Sequence, residues 1–127
     1  MLKVKKSRLP GAGKGLYTTS PIRKGDLIVE YKGERMTWKG AIRRYGKNVD
    51  FAAYLYYVSN KKCVDAAKTK DELARYANDA AGPTRLKGIR NNCEYKNVKG
   101  VPHIIAKKKI PAGSEIFVDY GADYWKG

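Results

Sequence analysis

Ten tyrosines stand in a chain of 127 residues. Tyr54, Tyr56 and Tyr57 crowd into AYLYYV, and Tyr120 closes EIFVDYG, where a chain of net charge +15 turns locally acidic. Rings converging on one channel suit a cationic or methylated amine, through ring-face attraction and weak oxygen contacts. The plainer reading of each ring is a half-buried strand residue. GAGKG, residues 11 to 15, sets three glycines in alternation, so backbone can approach a ligand closely and offer it N–H and C=O groups. A structural turn explains that segment as well, since no long helix follows to receive a phosphate. The one histidine, His103 in VPHII, reads as a strand residue. No Ser/His/Asp arrangement, paired carboxylates or metal-ligand spacing is present, so the common routes to general-base catalysis are thin.

Those residues need elements to hold them. LKVKKS and GLYTT read as short strands around the turn LPGAGKG, and LIVEYKGE as a strand after the turn SPIRKGD. TWKGAIRRYG predicts a short helix starting at Thr37, weakened by Gly40. AAYLYYVS and KKCVDAA are strand-like. TKDELARYAND has a Thr cap, early acids and Ala/Leu spacing for one or two helical turns. CEYKNV, VPHIIAKKK and EIFVDY close the chain as strands, with IPAGSE as the turn before the last. Many short strands, little helix and frequent Gly/Pro turns predict a mostly β chain.

The bulk numbers set bounds. The length suits one domain with a single core, and 43% apolar with 31% charged residues suits a globular protein. No apolar run approaches the ~20 residues of a membrane span, and no apolar h-region follows the basic start, so no membrane partner and no classical secretory signal are expected. Cys63 and Cys93 fit neither a disulfide framework nor a closed zinc site and read as free thiols. The 27 Lys and Arg are spread along the chain, which makes nucleic-acid contact an open expectation.

Taken in order, GAGKGLY, LIVEYKGE, CVDAA, LARYANDA, NNCEY and IPAGSEIFVDYG resemble the SET-domain protein lysine methyltransferases. The most specific blocks are Arg75-Tyr76-Ala77-Asn78 and the closing GSEIFVDYG, and the likeness runs from about Ser7 to Trp125. The compact size is similar to minimal viral and bacterial members, so residues 1–127 are expected to be a single SET domain without the cysteine-rich zinc module and with no metal site. The resemblance implies small curled β-sheets, one or two short helices and a C-terminal pseudoknot in which ARYANDA meets EIFVDYG. It also implies methyl transfer from S-adenosylmethionine to a lysine side chain. That reaction needs a neutral amine, whose ordinary pKa is near 10.4, held in line with the methyl–sulfur bond. Positioning and water exclusion carry such catalysis.

Carried over residue by residue, Ala12, Gly13, Lys14 and Gly15 match the glycine loop that holds the methionine part of the cofactor. Tyr54 matches an aromatic that helps to bind it, Arg75 lies in the motif packed against it, and Asn78 contacts its amino group. Tyr120 matches the catalytic tyrosine. Tyr31 and Tyr95 fall where the family lines its lysine channel. Val118 stands where a Phe/Tyr choice tunes the number of methyls added; its small size implies room for dimethyl- or trimethyl-lysine.

Three departures stand out. Asp79 replaces the His of most members, at a position used largely through its backbone toward the adenine. The segment between Asn78 and Asn92 is longer than usual, and its basic residues would favour an acidic or nucleic-acid-bound partner. Without a zinc module, Tyr124 and Trp125 would cover the adenine and close the channel. The implied substrate is a histone or another basic chromosomal or ribosomal protein. Because a basic tail meets a basic enzyme, either Glu94, Asp119 and Asp123 form a negative groove, or the charge docks on DNA. A homodimer is left open. The expected compartment is cytoplasmic for a bacterial source and nuclear for a viral or eukaryotic one. The alternative is a catalytically silent SET-like module that binds histone or nucleic acid.

Overall fold

The computed structural model describes residues 1–81 and 86–120, with the side chains of residues 50 and 51 left aside. Nine short strands make three antiparallel three-stranded sheets. The first sheet has the order β1-β2-β9, with β1 Leu2–Lys6, β2 Lys14–Thr18 and β9 Glu115–Ile116. The second has the order β3-β8-β7, with β3 Leu27–Glu30, β7 Cys93–Val98 and β8 Val101–Ala106. The third has the order β4-β6-β5, with β4 Glu34–Met36, β5 Leu55–Ser59 and β6 Lys62–Asp65. The mostly β reading is therefore correct. Among the described residues no helix is long and apolar enough to cross a membrane.

Helix α1, Trp38–Tyr45, starts where the sequence places it. Thr37 is in extended conformation and its Oγ1 accepts the Gly40 N–H at 3.1 Å, satisfying one of the helix's open donors. Arg43 and Arg44 sit in the last turn, where cations favour the helix end. Gly46, at φ +58°, ends it. Arg44 then reaches Glu34 with both terminal nitrogens at 3.1 Å and the buried Asp65 at 3.0 Å, tying α1 to β4 and β6.

Three sequence expectations need correction. LIVEYKGE is two strands: β3 ends before Tyr31, and Gly33 lies so close to the Asp65 carbonyl that an added Cβ would collide with it. TKDELARYAND forms a single 3₁₀ turn, Leu73–Tyr76, without a side-chain cap; Thr69 Oγ1 is buried and unpaired among the described residues. The turn stops because Ala77 is extended (φ −70°, ψ 124°), which frees Asn78 to pair elsewhere. EIFVDY leaves its sheet after Ile116, because its partners change. A second 3₁₀ helix, Gly46–Phe51, follows α1 directly.

That change of partners makes the topology. Phe117 bridges in parallel to Asn78, and Val118 to Cys93. Val118 N–H donates to the Asn78 carbonyl at 2.8 Å, while the Phe117 carbonyl accepts from Asn92 N and Cys93 N at 3.1 and 3.0 Å. The C-terminal segment thus passes between two chain segments, as the expected pseudoknot requires. The Asn92 side chain seals the crossing, accepting Phe117 N–H and donating to the Glu115 carbonyl, both at 3.0 Å. Leu16, Ile104, Ile110, Ile116 and Val118 fill the core against which Tyr54, Tyr56 and Tyr95 pack.

Candidate active site

Tyr31 follows β3, Tyr56 lies in β5, Tyr95 in β7, and Tyr120 follows the threaded segment. Three sheets and the crossing are needed to bring the four rings together. Tyr31 and Tyr56 are 5.5 Å apart by centroid, Tyr31 and Tyr95 6.0 Å, and Tyr56 and Tyr95 5.1 Å. Tyr120 stacks on Tyr95 at 6.5 Å with 21° between planes. With Tyr57 and the small residues Ala52 and Ala53 they line a cavity of about 300 Å³.

Two of the four hydroxyls are held by backbone carbonyls. Tyr31 donates to the Tyr54 carbonyl at 2.8 Å, and Tyr120 donates to the Ala77 carbonyl at 2.5 Å. Burial pushes the Tyr95 phenol well above its ordinary pKa, and the Tyr120, Tyr31 and Tyr56 hydroxyls and the Asp79 carboxylate push in the same direction. Burial alone raises Tyr56. These two phenols therefore stay neutral through any physiological pH.

A second group of residues meets beside this cavity. Asn78 Nδ2 donates to the Lys14 carbonyl at 3.0 Å, joining the glycine loop to the crossing. Gly13 has φ +71°, a conformation that favours glycine, and its carbonyl accepts Ser7 N–H at 2.8 Å. Ala12 packs beside Phe117 and Leu9. Gly15 is glycine for another reason: an added Cβ would collide with the Glu115 carboxylate and Ser7. Glu115, fully buried, accepts Ser7 Oγ–H at 2.6 Å and Arg8 N–H at 2.9 Å. The loop is thereby clamped from below.

The Arg75 guanidinium sits over the Tyr54 ring, 4.1 Å from its carbon to the ring centroid, and 5.1 Å from that of Tyr76. Its Nε and Nη1 are buried without a hydrogen-bond partner among the described residues. Leaving such donors unpaired costs about 1–3 kcal/mol each, so these two call for an acceptor that the described residues do not supply.

Asp79 is buried and uses its carboxylate on the protein itself. Oδ1 accepts Ala81 N–H at 2.8 Å and Asn91 Nδ2 at 2.9 Å, and Oδ2 accepts Tyr120 N–H at 2.9 Å. Val118 is fully buried in the core and is not among the cavity-lining residues. Trp125, with Tyr124 and Asp123, lies outside the described residues. Glu94 and Asp119 are exposed and adjoin the stacked pair Tyr95 and Tyr120.

Sequence reasoning left Tyr56 among rings of undecided role and assigned nothing to Glu115. Strand alternation could have paired Tyr56 with Tyr54 on one face, but only the sheet order shows that face meeting Tyr31 and Tyr95. For Glu115 the usable signal is an acid directly ahead of the apolar run Ile116–Val118.

The family described as SET domain matches residues 13–121. The N-lysine methyltransferase KMT5A-A of Danio rerio is 33% identical over 123 residues, covering 89% of this chain and 33% of that protein. The histone-lysine N-methyltransferase ASHH1 of Arabidopsis thaliana is 33% identical over 132 residues, covering 98% of this chain and 25% of that protein. The histone-lysine N-methyltransferase set-1 of Caenorhabditis elegans is 32% identical over 119 residues, covering 86% and 46%. The chain thus spans less than half the length of each. Among solved structures, apo ctPRC2 with two substitutions in Ezh2 superimposes with a TM-score of 0.74 at 29% identity, covering 97% of this chain and 15% of that one.

Proposed function

The chain belongs to the SET-domain family, and from that premise we propose that it transfers methyl groups from S-adenosylmethionine to the side-chain amine of a protein lysine. The observation that carries the reading is the four-tyrosine cavity closed by Tyr120, with the Asn78–Lys14 junction beside it.

When bound, S-adenosylmethionine supplies an electrophilic methyl on a sulfonium. The Gly13–Lys14 backbone, Asn78, Tyr54 and Arg75 are the residues that would hold it, and the unpaired Arg75 nitrogens are where its carboxylate fits the donor set. Asp79 contributes through the fold, by fixing Tyr120.

The chain's own part is to strip water from the lysine and hold it. An amine drawn into a cavity of neutral phenols loses hydration, which lowers its pKa and favours the nucleophilic neutral form. The ring faces attract it whether it is ammonium or already methylated. Having donated its proton to Ala77, the Tyr120 oxygen can only accept, which suits the partly positive hydrogens of a methyl group. With a cavity of about 300 Å³ walled in part by the small Ala52 and Ala53, the product extends to dimethyl- or trimethyl-lysine.

The substrate is a histone or a similarly basic chromosomal protein, in line with the activities named for the relatives. The exposed Glu94 and Asp119 give a basic tail its local counter-charge. Intact-mass spectrometry of core histones incubated with the protein and S-adenosylmethionine, beside Tyr120→Phe, tests this. Expected are mass gains in methyl steps, sharply reduced in the variant. Absence of both mass gain and cofactor binding would leave a silent SET-like binding module instead.

A further inference from the structure

Away from the tyrosine cavity, residues 22–26 and 106–110 run side by side. At one end Ile22 and Ile110 exchange backbone hydrogen bonds of 2.8 and 2.9 Å. At the other, Gly25 N–H donates to the Ala106 carbonyl at 2.8 Å and Ala106 N–H to the Asp26 carbonyl at 3.0 Å. Ala106 and Ile110 are buried and anchor the frame to the core. Between the ties stand Arg23 and Lys24 on one segment and Lys107, Lys108 and Lys109 on the other, all exposed. Two clusters far apart in sequence become one.

None of the five cations forms an ion pair among the described residues. The one carboxylate in the frame, Asp26, accepts Arg23's own backbone N–H at 3.0 Å. Five like charges repel, and a single carboxylate within the frame does not offset that cost. An external polyanion would. Because the backbone is fixed at both ends, little ordering entropy is lost on binding, apart from that of the side chains themselves.

We propose that this frame is a docking surface for the phosphate backbone of duplex DNA. The two segments, IRKGD and AKKKI, contain no aromatic ring on which unpaired bases could stack, and their exposed polar ends are cations suited to phosphate. Recognition is of phosphate charge, independent of sequence. The frame is also tied to the site: Lys107 N–H donates to the Asn92 carbonyl at 3.0 Å, and the Asn92 side chain holds the segment leading to Tyr120. Docking on DNA would thus bring the cavity to proteins packed on that DNA and overcome the general repulsion between two basic molecules.

The test is fluorescence anisotropy of a short labelled duplex with the full chain across a salt series. The variant R23Q/K24Q/K107Q/K108Q/K109Q is compared with a control, K3Q/K6Q/K39Q/R43Q/K61Q, that loses the same charge from other exposed positions. The frame variant is expected to bind at least about tenfold more weakly than the control, with the salt slope shallower by up to about 4.5, at roughly 0.9 for each phosphate no longer neutralised. Equal loss in the control, no binding by the unaltered chain, or tighter binding of a single strand would each overturn the proposal. If the five changes together prevent folding, R23Q/K24Q and K107Q/K109Q separately should each lose part of the affinity. Methylation of a short lysine peptide, followed in parallel, should be unchanged in the frame variant. Duplex binding with neither methylation nor S-adenosylmethionine binding would reject the methyl-transfer reading and leave the dock standing.

Discussion

The Asp79 carboxylate accepts the backbone N–H of Tyr120 at 2.9 Å, across a sequence separation of 41 residues. It also holds Ala81 and Asn91, so one buried acid fixes both the ring that closes the cavity and the start of the following loop. A carboxylate can accept from all three donors together; a neutral imidazole offers one acceptor nitrogen. At this position the carboxylate holds the Tyr120 backbone in place, and its effect on catalysis is open to direct test.

Asp79→Asn should lower kcat about 10–100-fold while S-adenosylmethionine affinity changes less than about threefold, since its amide would face the Tyr120 N–H donor to donor. The kcat-against-Kd split is the check. A proportionate fall in both, together with a lower Tm, would make Asp79 merely structural.

Arg75→Lys should weaken S-adenosylmethionine about tenfold or more, measured by calorimetry, with little loss of stability. A lysine places no guanidinium over Tyr54 and presents no fork of donors. Unchanged affinity would remove Arg75 from the cofactor site.

Tyr56→Phe should retain nearly full activity, because the ring supplies the packing against Tyr31 and Tyr95. Tyr56→Ala opens the cavity wall and should raise KM for a lysine peptide roughly tenfold, given ~0.5–1.5 kcal/mol for each aromatic pair removed. Equal kinetics in the two variants would place Tyr56 outside the channel.

Asp65 links stability to pH. Burial alone would raise its pKa, but hydrogen bonds from Tyr45 (2.6 Å), Ala67 (3.0 Å) and Arg44 (3.0 Å), with the Arg44 charge, outweigh it and hold the carboxyl below its ordinary value. Its contribution is present above the unfolded pKa, near 4, and is lost as pH falls through the lower folded value. Burial first, then the bond to Asp65, pushes Tyr45 up to about 12, so its share is full below its unfolded value near 10 and lost as pH rises through about 12. Asp65→Ala should cost about 2 kcal/mol or more at neutral pH. Chemical denaturation should show the gap from the unaltered chain narrowing below about pH 4 and above about pH 10.

Cys63 and Cys93 are free and fully buried, and burial pushes the Cys93 thiol up to about 12 and also raises Cys63. The folded chain at pH 8 should take up no iodoacetamide, and the denatured chain two adducts, read by intact mass. Labelling of the folded chain would show that the core around β6 and β7 opens.

Much was legible before any coordinates. Thr37 before an apolar-spaced run marked the start of α1, since capping is local chemistry. Strand positions followed from β-branched and aromatic runs between glycine and proline turns. The order of the short blocks led to the SET family and hence to Tyr120, Asn78 and the glycine loop. What failed were judgements depending on partners distant in sequence. Thr69 looked like a helix cap, yet the helix stops after one turn because Asn78 is pulled out to meet Phe117.

By itself the sequence determined which residues could do the chemistry and which local elements they would form, because propensity, capping and turn preference act over a few residues. Tertiary structure alone decided that Tyr56 joins Tyr31, Tyr95 and Tyr120 around one cavity, that Asp79 spends its carboxylate on Tyr120, and that Arg23 and Lys24 share a surface with Lys107, Lys108 and Lys109. Each of these is a contact between segments whose separation along the chain is closed only by the order of the sheets and the threading of residues 115–120.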